Sequence, residues 1–295
     1  MKSSKYSGVL PPVTTPFINE ELALDKLTEN LRRFNRTGLS GYLILGSNGE
    51  NVFLSEAEKI AVFETAREAI PTERLFMAGV GLDSTRETVK LTNTVADIGA
   101  DCALVVTPYY FKGGMTSERL RYHFSKIADE AKIPVLLYNV PQFTGVNIAP
   151  DLVAELSSHP NIVGIKDSSG NIIQLAEIVR NSEPGFAVFV GSGPVFLPAL
   201  VMGAAGGIIG GANVMPDLLV EVQTLFEKGA LEEARKMQDR ITPLAQWVTV
   251  GKGIGGLKMA MDEVGYFGGE PRRPLTRPPD SARAELKIML SELGL

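Results

Sequence analysis

Eight short apolar runs recur along this chain at a nearly constant interval. They occupy residues 8–13, 41–45, 75–80, 102–106, 134–138, 162–166, 187–190 and 207–210. Most follow one another after about 20 to 33 residues, the length of a strand plus a crossover helix. Because the runs are apolar at successive positions rather than alternate ones, each reads as a strand buried on both faces. Such strands belong to a parallel sheet covered by helices. Amphipathic, charged segments lie between them, for example 22–36, 55–70, 84–98, 117–131, 149–157 and 171–180. Eight such units fit an α/β fold of the (β/α)8 type, a TIM barrel, in about 225 residues. A doubly wound sheet is the competing arrangement, but it usually needs fewer strands and leaves two edges.

Helix-start signals stand where this reading needs them. Ser55-Glu56-Ala57-Glu58 and Ser84-Thr85-Arg86-Glu87 each place a glutamate three residues after a serine, the spacing of a reciprocal capping box. Pro150 and Pro216 stand at or near expected helix starts, where a missing N–H costs nothing. The tail differs from the rest. Residues 230–248 and 255–264 have helical periodicity, 271–279 is a proline-rich connector, and 281–293 reads as a final helix. The expected organisation is a catalytic barrel over 1–228 and a C-terminal helical region over 229–295. Gly251-Lys252-Gly253-Ile254-Gly255-Gly256 matches a dinucleotide-binding fingerprint letter for letter. That fingerprint needs a preceding strand inside a βαβ unit. Here a helical segment precedes it, so the run reads as a glycine connector.

Composition excludes several functions. A net charge of −5 over 295 residues gives no reason to expect nucleic acid or an anionic membrane as partner. No run reaches the roughly 18 apolar residues of a membrane span. No signal-peptide core follows Met1. The single thiol, Cys102, permits no intramolecular disulfide and suits a reducing compartment, so a cytoplasmic location is expected. Cys102 opens an apolar run and reads as buried and structural. Two histidines, His123 and His159, are too few for a His-rich metal site, and solvated surface positions explain both.

In a (β/α)8 barrel the active site forms at the C-terminal ends of the strands. Those ends here carry Thr14-Thr15, Ser47-Asn48, Tyr109-Tyr110, Tyr138-Asn139, Lys166-Asp167-Ser168, Gly191-Ser192-Gly193 and Gly211-Ala212-Asn213. Lys166 closes the apolar run 162–166. An ammonium is costly in such surroundings, and a neutral lysine amine is a nucleophile for carbonyl carbon. Taken alone, Lys166 could equally be a strand-end lysine that snorkels to water. Tyr138 could be a cap on the barrel mouth, and Ser47 and Asn48 could merely shape a turn. Taken together on one rim, these residues suit imine chemistry, which needs an amine and a proton shuttle. The glycines let backbone N–H groups approach a carboxylate.

The stretch from Gly46 to Glu50, Tyr138-Asn139-Val140-Pro141 with Thr144-Gly145, and Gly164-Ile165-Lys166-Asp167 occur in register. Together they resemble the dihydrodipicolinate synthase / N-acetylneuraminate lyase superfamily over essentially the whole chain. Ser-Asn at 47 and 48, Lys166-Asp167-Ser168 and Gly265-Tyr266-Phe267-Gly268-Gly269 look most like its 4-hydroxy-2-oxoglutarate aldolase branch. The resemblance implies a class I aldolase that needs no metal or organic cofactor. Lys166 would form a Schiff base with a 2-oxo acid, usually pyruvate or a pyruvate-derived substrate. Tyr138 would shuttle protons, aided by Ser47 and by Tyr110, which matches a tyrosine donated across a dimer interface. Asn48, Ser168, Gly191 and Ile208 would contact substrate. The family is usually a homotetramer, a dimer of dimers. Its synthases have an arginine for a second carboxylate where this chain has Phe143, which has no charge-assisted bond to offer. The implied reaction is cleavage of 4-hydroxy-2-oxoglutarate to pyruvate and glyoxylate. Condensation of pyruvate with aspartate semialdehyde, and cleavage of a 2-keto-3-deoxy sugar acid, are the alternatives.

Overall fold

The apolar runs form strands, buried almost throughout. In the computed structural model, which describes residues 5–295, they are β1 (Gly8–Leu10), β2 (Gly41–Ile44), β3 (Leu75–Gly79), β4 (Cys102–Val106), β5 (Val135–Asn139), β6 (Ile162–Asp167), β7 (Ala187–Val190) and β8 (Gly206–Ile208). Hydrogen-bonded neighbours follow the order β1-β8-β7-β6-β5-β4-β3-β2. A parallel bridge between Pro12 and Leu43 then links the end of β1 to β2, with Leu43 N donating to Pro11 O at 3.0 Å. The strands are parallel and alternate with helices, as a (β/α)8 barrel requires. The doubly wound alternative, with its two free edges, is ruled out.

By contact the chain divides into two units. One comprises Leu75–Ile208 with residues up to Ser7; the other comprises Gly8–Arg74 with Ile209–Leu295. In the first, β3 to β8 are covered by helices Thr85–Ile98, Ser117–Glu130, Pro150–Ser157 and Ile172–Asn181. Ser84 caps the first of these through Glu87 N, a one-way bond rather than a reciprocal box. His123 corrects the surface reading, being only 3% exposed. It shares the stripe Leu120, Phe124 and Ile127, the period of a helix face turned inward. Its Nδ1 pairs with Thr85 Oγ1 at 2.8 Å, and burial pushes the imidazole down to about 4. His159 is half-buried and meets Asp129.

The second unit joins β1 and β2 to helices Leu24–Phe34, Glu56–Ala69, Pro216–Glu227 and the tail. Ser55 and Glu58 form the full capping box. The helix expected from residue 22 begins two residues later. Glu21–Leu22 instead pairs with Phe17–Ile18 in a small hairpin. Asn19 and Glu20, at φ 52° and 68°, supply the two left-handed residues of a tight turn. In the tail, helix Leu231–Gln246 passes into a π-helical turn, Trp247–Gly251, before helix Gly253–Glu263. The glycine run 251–256 spans that junction, with no strand before it. The final helix is Ser281–Leu293.

Candidate active site

Strand pairing brings the two main candidates together. Tyr138 on β5 is the register partner of Lys166 on β6. Residues paired across a sheet point to the same face, and Lys166 Nζ stands 4.3 Å from the centroid of the Tyr138 ring. Both are buried, at 3% and 5% exposure. An amine beside a phenol, away from bulk water, is the pair of groups that imine chemistry uses.

The residues one step along each strand point to the opposite face. There Asn139 Nδ2 donates to Asp167 Oδ1 at 2.8 Å and to Asn147 Oδ1 at 2.9 Å, while Asn139 Oδ1 accepts from Ile148 N. Asn147 in turn donates to Gln174 on the next helix. Ser169 Oγ donates to Asp167 Oδ2 at 2.7 Å. The buried Asp167 carboxylate is therefore satisfied by neutral donors. This cluster ties the ends of β5 and β6 to one another and to the helix behind them. Strand periodicity put Asn139 and Asp167 beside the candidates, but nothing in the sequence pointed to Asn147 or Gln174.

Around this pair, Ser168 is nearly buried and its N–H donates to Asn139 O at 2.8 Å. Gly191 follows β7, its N–H donating to Asp167 O at 2.7 Å. A Cβ there would collide with Ser168 Oγ, so glycine is what lets the two loops approach. Ile208, the last residue of β8, is fully buried. Phe143 lies on the short helix Pro141–Thr144 and is 70% exposed. Gln142 Nε2 ties that turn to Ser168 O at 2.8 Å. The Lys112 side chain crosses the same turn, with Nζ 3.6 Å from the Cβ position of Gly145. Tyr110 is 75% exposed, at the tip of a loop fixed by Asp83 Oδ1, which accepts from both Tyr109 N and Tyr110 N. It stands edge-on to Phe111.

The remaining candidates belong to the other unit. Ser47 and Asn48 begin the tight turn Ser47–Gly49 after β2, closed by Glu50 N donating to Ser47 O at 3.0 Å. Thr15 Oγ1, beyond β1, donates to Gly49 O at 2.7 Å. Glu50 is left-handed, at φ 55°, an uncommon conformation for a residue with a side chain. Gly210 lies under Asn48: a Cβ on it would stand 2.8 Å from Asn48 Nδ2 and 3.0 Å from Thr249 Cγ2. Thr249, on the π-helical turn, is a neighbour of Asn48 that sequence reading missed, because the two are 201 residues apart. Among the described residues no group of three His, Cys, Asp or Glu side chains could hold a metal ion. No described helix is long and apolar enough to cross a membrane.

A profile of the Dihydrodipicolinate synthetase family matches residues 5–293. The 4-hydroxy-tetrahydrodipicolinate synthase of Methanosphaerula palustris is 37% identical over 292 residues, covering 98% of each chain. A probable mitochondrial 4-hydroxy-2-oxoglutarate aldolase of Emericella nidulans is 36% identical, over 97% of this chain and 94% of its own. Among solved structures, dihydrodipicolinate synthase from Thermotoga maritima superposes with a TM-score of 0.94 at 30% identity, covering 99% of both chains.

Proposed function

The chain belongs to the dihydrodipicolinate synthetase family of carbon–carbon lyases, and we propose that it is a Schiff-base aldolase cleaving 4-hydroxy-2-oxoglutarate to pyruvate and glyoxylate. The observation that carries the imine chemistry is the buried pair of Lys166 Nζ and the Tyr138 ring, 4.3 Å apart on paired strands. The Lys166 amine adds to the C2 ketone, and Tyr138 gives its proton to the departing hydroxyl, so that water leaves and a protonated imine remains beside the Tyr138 phenolate. The C3–C4 bond then breaks, its electron pair flowing into that imine. Tyr138, aided by Ser47 and Tyr110, takes the C4 hydroxyl proton as glyoxylate departs. Protonation of the enamine at C3 and hydrolysis release pyruvate and restore Lys166. Ser47 and Asn48 hold the carboxylate next to the imine carbon, with Ser168, Gly191 and Ile208 as further substrate contacts. No metal or organic cofactor is needed.

Phe143 weighs against the synthase reading and does not itself select the aldolase substrate. A synthase acting on aspartate semialdehyde profits from a cation at this turn, and an exposed phenyl ring offers none. The distal carboxylate of 4-hydroxy-2-oxoglutarate would be held by Asn48, Ser168 and backbone N–H groups, while the Lys112 ammonium crossing the same turn could serve the carboxylate of either substrate. The synthase reading is kept as a second one, because relatives such as that of Methanosphaerula palustris carry that name. The exposed Tyr110–Phe111 pair supports a second copy of the chain as partner, in a homotetramer built from dimers. Residues 1–228 are taken as the catalytic barrel and 229–295 as its helical extension, in a cytoplasmic enzyme.

Two measurements test this. Borohydride with pyruvate should add one reduced pyruvyl group per chain, at Lys166; label on another lysine overturns the assignment. Product analysis should find cleavage of 4-hydroxy-2-oxoglutarate faster than condensation of pyruvate with aspartate semialdehyde. The reverse ranking replaces the aldolase by the synthase. Faster cleavage of a 2-keto-3-deoxy sugar acid keeps the mechanism and changes the substrate.

A further inference from the structure

A second lysine, remote in sequence from Lys166, is fully buried. Lys258 lies on the tail helix Gly253–Glu263 and has 0% exposure. Its ammonium donates to the carbonyls of Thr15 (2.8 Å) and Glu270 (3.0 Å) and stands 4.6 Å from the centroid of the Phe17 ring. Glu50 Oε1 lies 2.5 Å away, in an ionic contact rather than an aligned hydrogen bond. The other carboxylate oxygen of Glu50 accepts from Arg272 N at 2.8 Å. The Arg272 guanidinium binds Glu58, Phe53 O and Glu20 O and lies over the same Phe17 ring.

Part of this hub converges on one short turn. Glu50 closes Ser47–Gly49 through its own N–H, and Thr15 holds Gly49 through its hydroxyl while its carbonyl receives Lys258. Lys258 thus reaches the turn by two routes. Holding the tail in place alone does not call for ions. Burial raises the Glu50 carboxyl and lowers the Lys258 ammonium, so each charge is carried at a desolvation cost that an apolar pair avoids. An ammonium with several fixed acceptors instead defines a point and a direction. The left-handed Glu50 is a further local strain that only over-determined surroundings sustain, and such strain gathers at functional sites.

We propose that Lys258, Glu50 and Arg272 are positioning residues, through which the C-terminal extension holds the Ser47–Gly49 turn in the form that receives the substrate carboxylate. This rests on the imine reading above, which assigns that carboxylate to Ser47 and Asn48. The hub tunes affinity for the 2-oxo acid and leaves the nucleophile itself intact.

The test is a pyruvate titration of borohydride labelling on the full chain. Glu50→Gln keeps the acceptor for Arg272 and removes the charge. It should raise half-saturating pyruvate about ten-fold or more, with saturating label still one per chain at Lys166. In an Asn48→Ala background the same substitution should add less than about three-fold, because the turn has already lost the contact that the hub orients. A purely structural role moves the melting temperature and leaves half-saturation within about two-fold; that result, or full multiplicative effects in both backgrounds, overturns the proposal. Should Glu50→Gln not fold, Glu50→Gln/Lys258→Met removes both buried charges and is read by the same titration and the same limits. An unlabelled wild-type chain overturns the imine reading and this inference with it. Labelled wild type with unshifted variants overturns only the inference.

Discussion

Each unit has a buried polar cluster behind its candidate residues, and the two clusters are built on opposite principles. Behind Lys166 and Tyr138, the cluster of Asn139, Asn147, Asp167, Ser169 and Gln174 uses neutral donors around one carboxylate. Its members come from consecutive strand–helix units. Beneath Ser47 and Asn48, the cluster of Glu50, Lys258 and Arg272 is ionic and joins segments more than 200 residues apart. Removing one neutral donor leaves its buried partner short of one bond among several. An ionic cluster that loses a member leaves an uncompensated buried charge, the more damaging defect. The neutral cluster therefore backs the proposed nucleophile, Lys166, with small, separable contributions. The ionic one ties the Ser47–Gly49 turn to the tail through charges that depend on one another.

The largest expected effect lies beside the neutral cluster. Tyr138→Phe removes one oxygen and keeps the ring, so kcat should fall about 10²- to 10⁴-fold while the protein stays folded. A near-normal kcat would reduce Tyr138 to packing and leave the neutral cluster with nothing to orient. The contrast between clusters comes next. Lys258→Ala should destabilise by about 3–5 kcal/mol in urea unfolding, because Glu50 is left buried without its cation. Asn147→Ala in the neutral cluster should cost about 1–3 kcal/mol and leave pyruvate labelling of Lys166 in place. Equal losses would erase the contrast between the two clusters.

The smallest effects are in the acid response, and they separate the two units. Burial holds His123 down at about 4, so the fold keeps it neutral while the unfolded imidazole takes a proton near 6.5. Its contribution is complete above 6.5 and lost as pH falls toward 4. The Arg272 guanidinium holds the Glu58 carboxyl down at about 2 against an ordinary 4.5. That contribution is complete above 4.5 and lost only as pH falls toward 2. His123→Gln should flatten the melting-temperature profile between 6.5 and 4, and Glu58→Gln the profile below 4.5. Calorimetry showing the same window for both would mean that these groups do not set the acid limb.

Much of the strand framework was legible because the fold repeats one local instruction eight times. Each apolar run is long enough to be a strand and too short to be a buried helix, and its spacing leaves room for one crossover. The barrel then converts sequence position into spatial position: strand ends gather at one rim, so Lys166 and Tyr138 could be suspected of sharing a site before any coordinate was known. The helix at Leu24 was misjudged by two residues because a local helical pattern there lost to pairing with Phe17–Ile18. His123 was misjudged as solvated because residue type was weighed above the stripe of Leu120, Phe124 and Ile127 in which it stands.

What the chain alone determined was therefore periodic: the eight barrel strands, their parallel topology, the order of the main helices and, to within one to three residues, where each strand ends. Such patterns are properties of near neighbours and can be read without a partner. The tertiary structure alone decided which distant groups meet. Lys258 reads in sequence as an ordinary helical lysine, and Glu50 as one more acidic loop residue. Only folding carries the tail helix to the turn after β2, and only there does a fully desolvated ammonium find Glu50, Thr15 and Glu270. The physical reason is that a buried charge is tolerable only where its partners already stand, and two of those partners, Thr15 and Glu50, lie more than 200 residues from Lys258, a distance no local pattern spans.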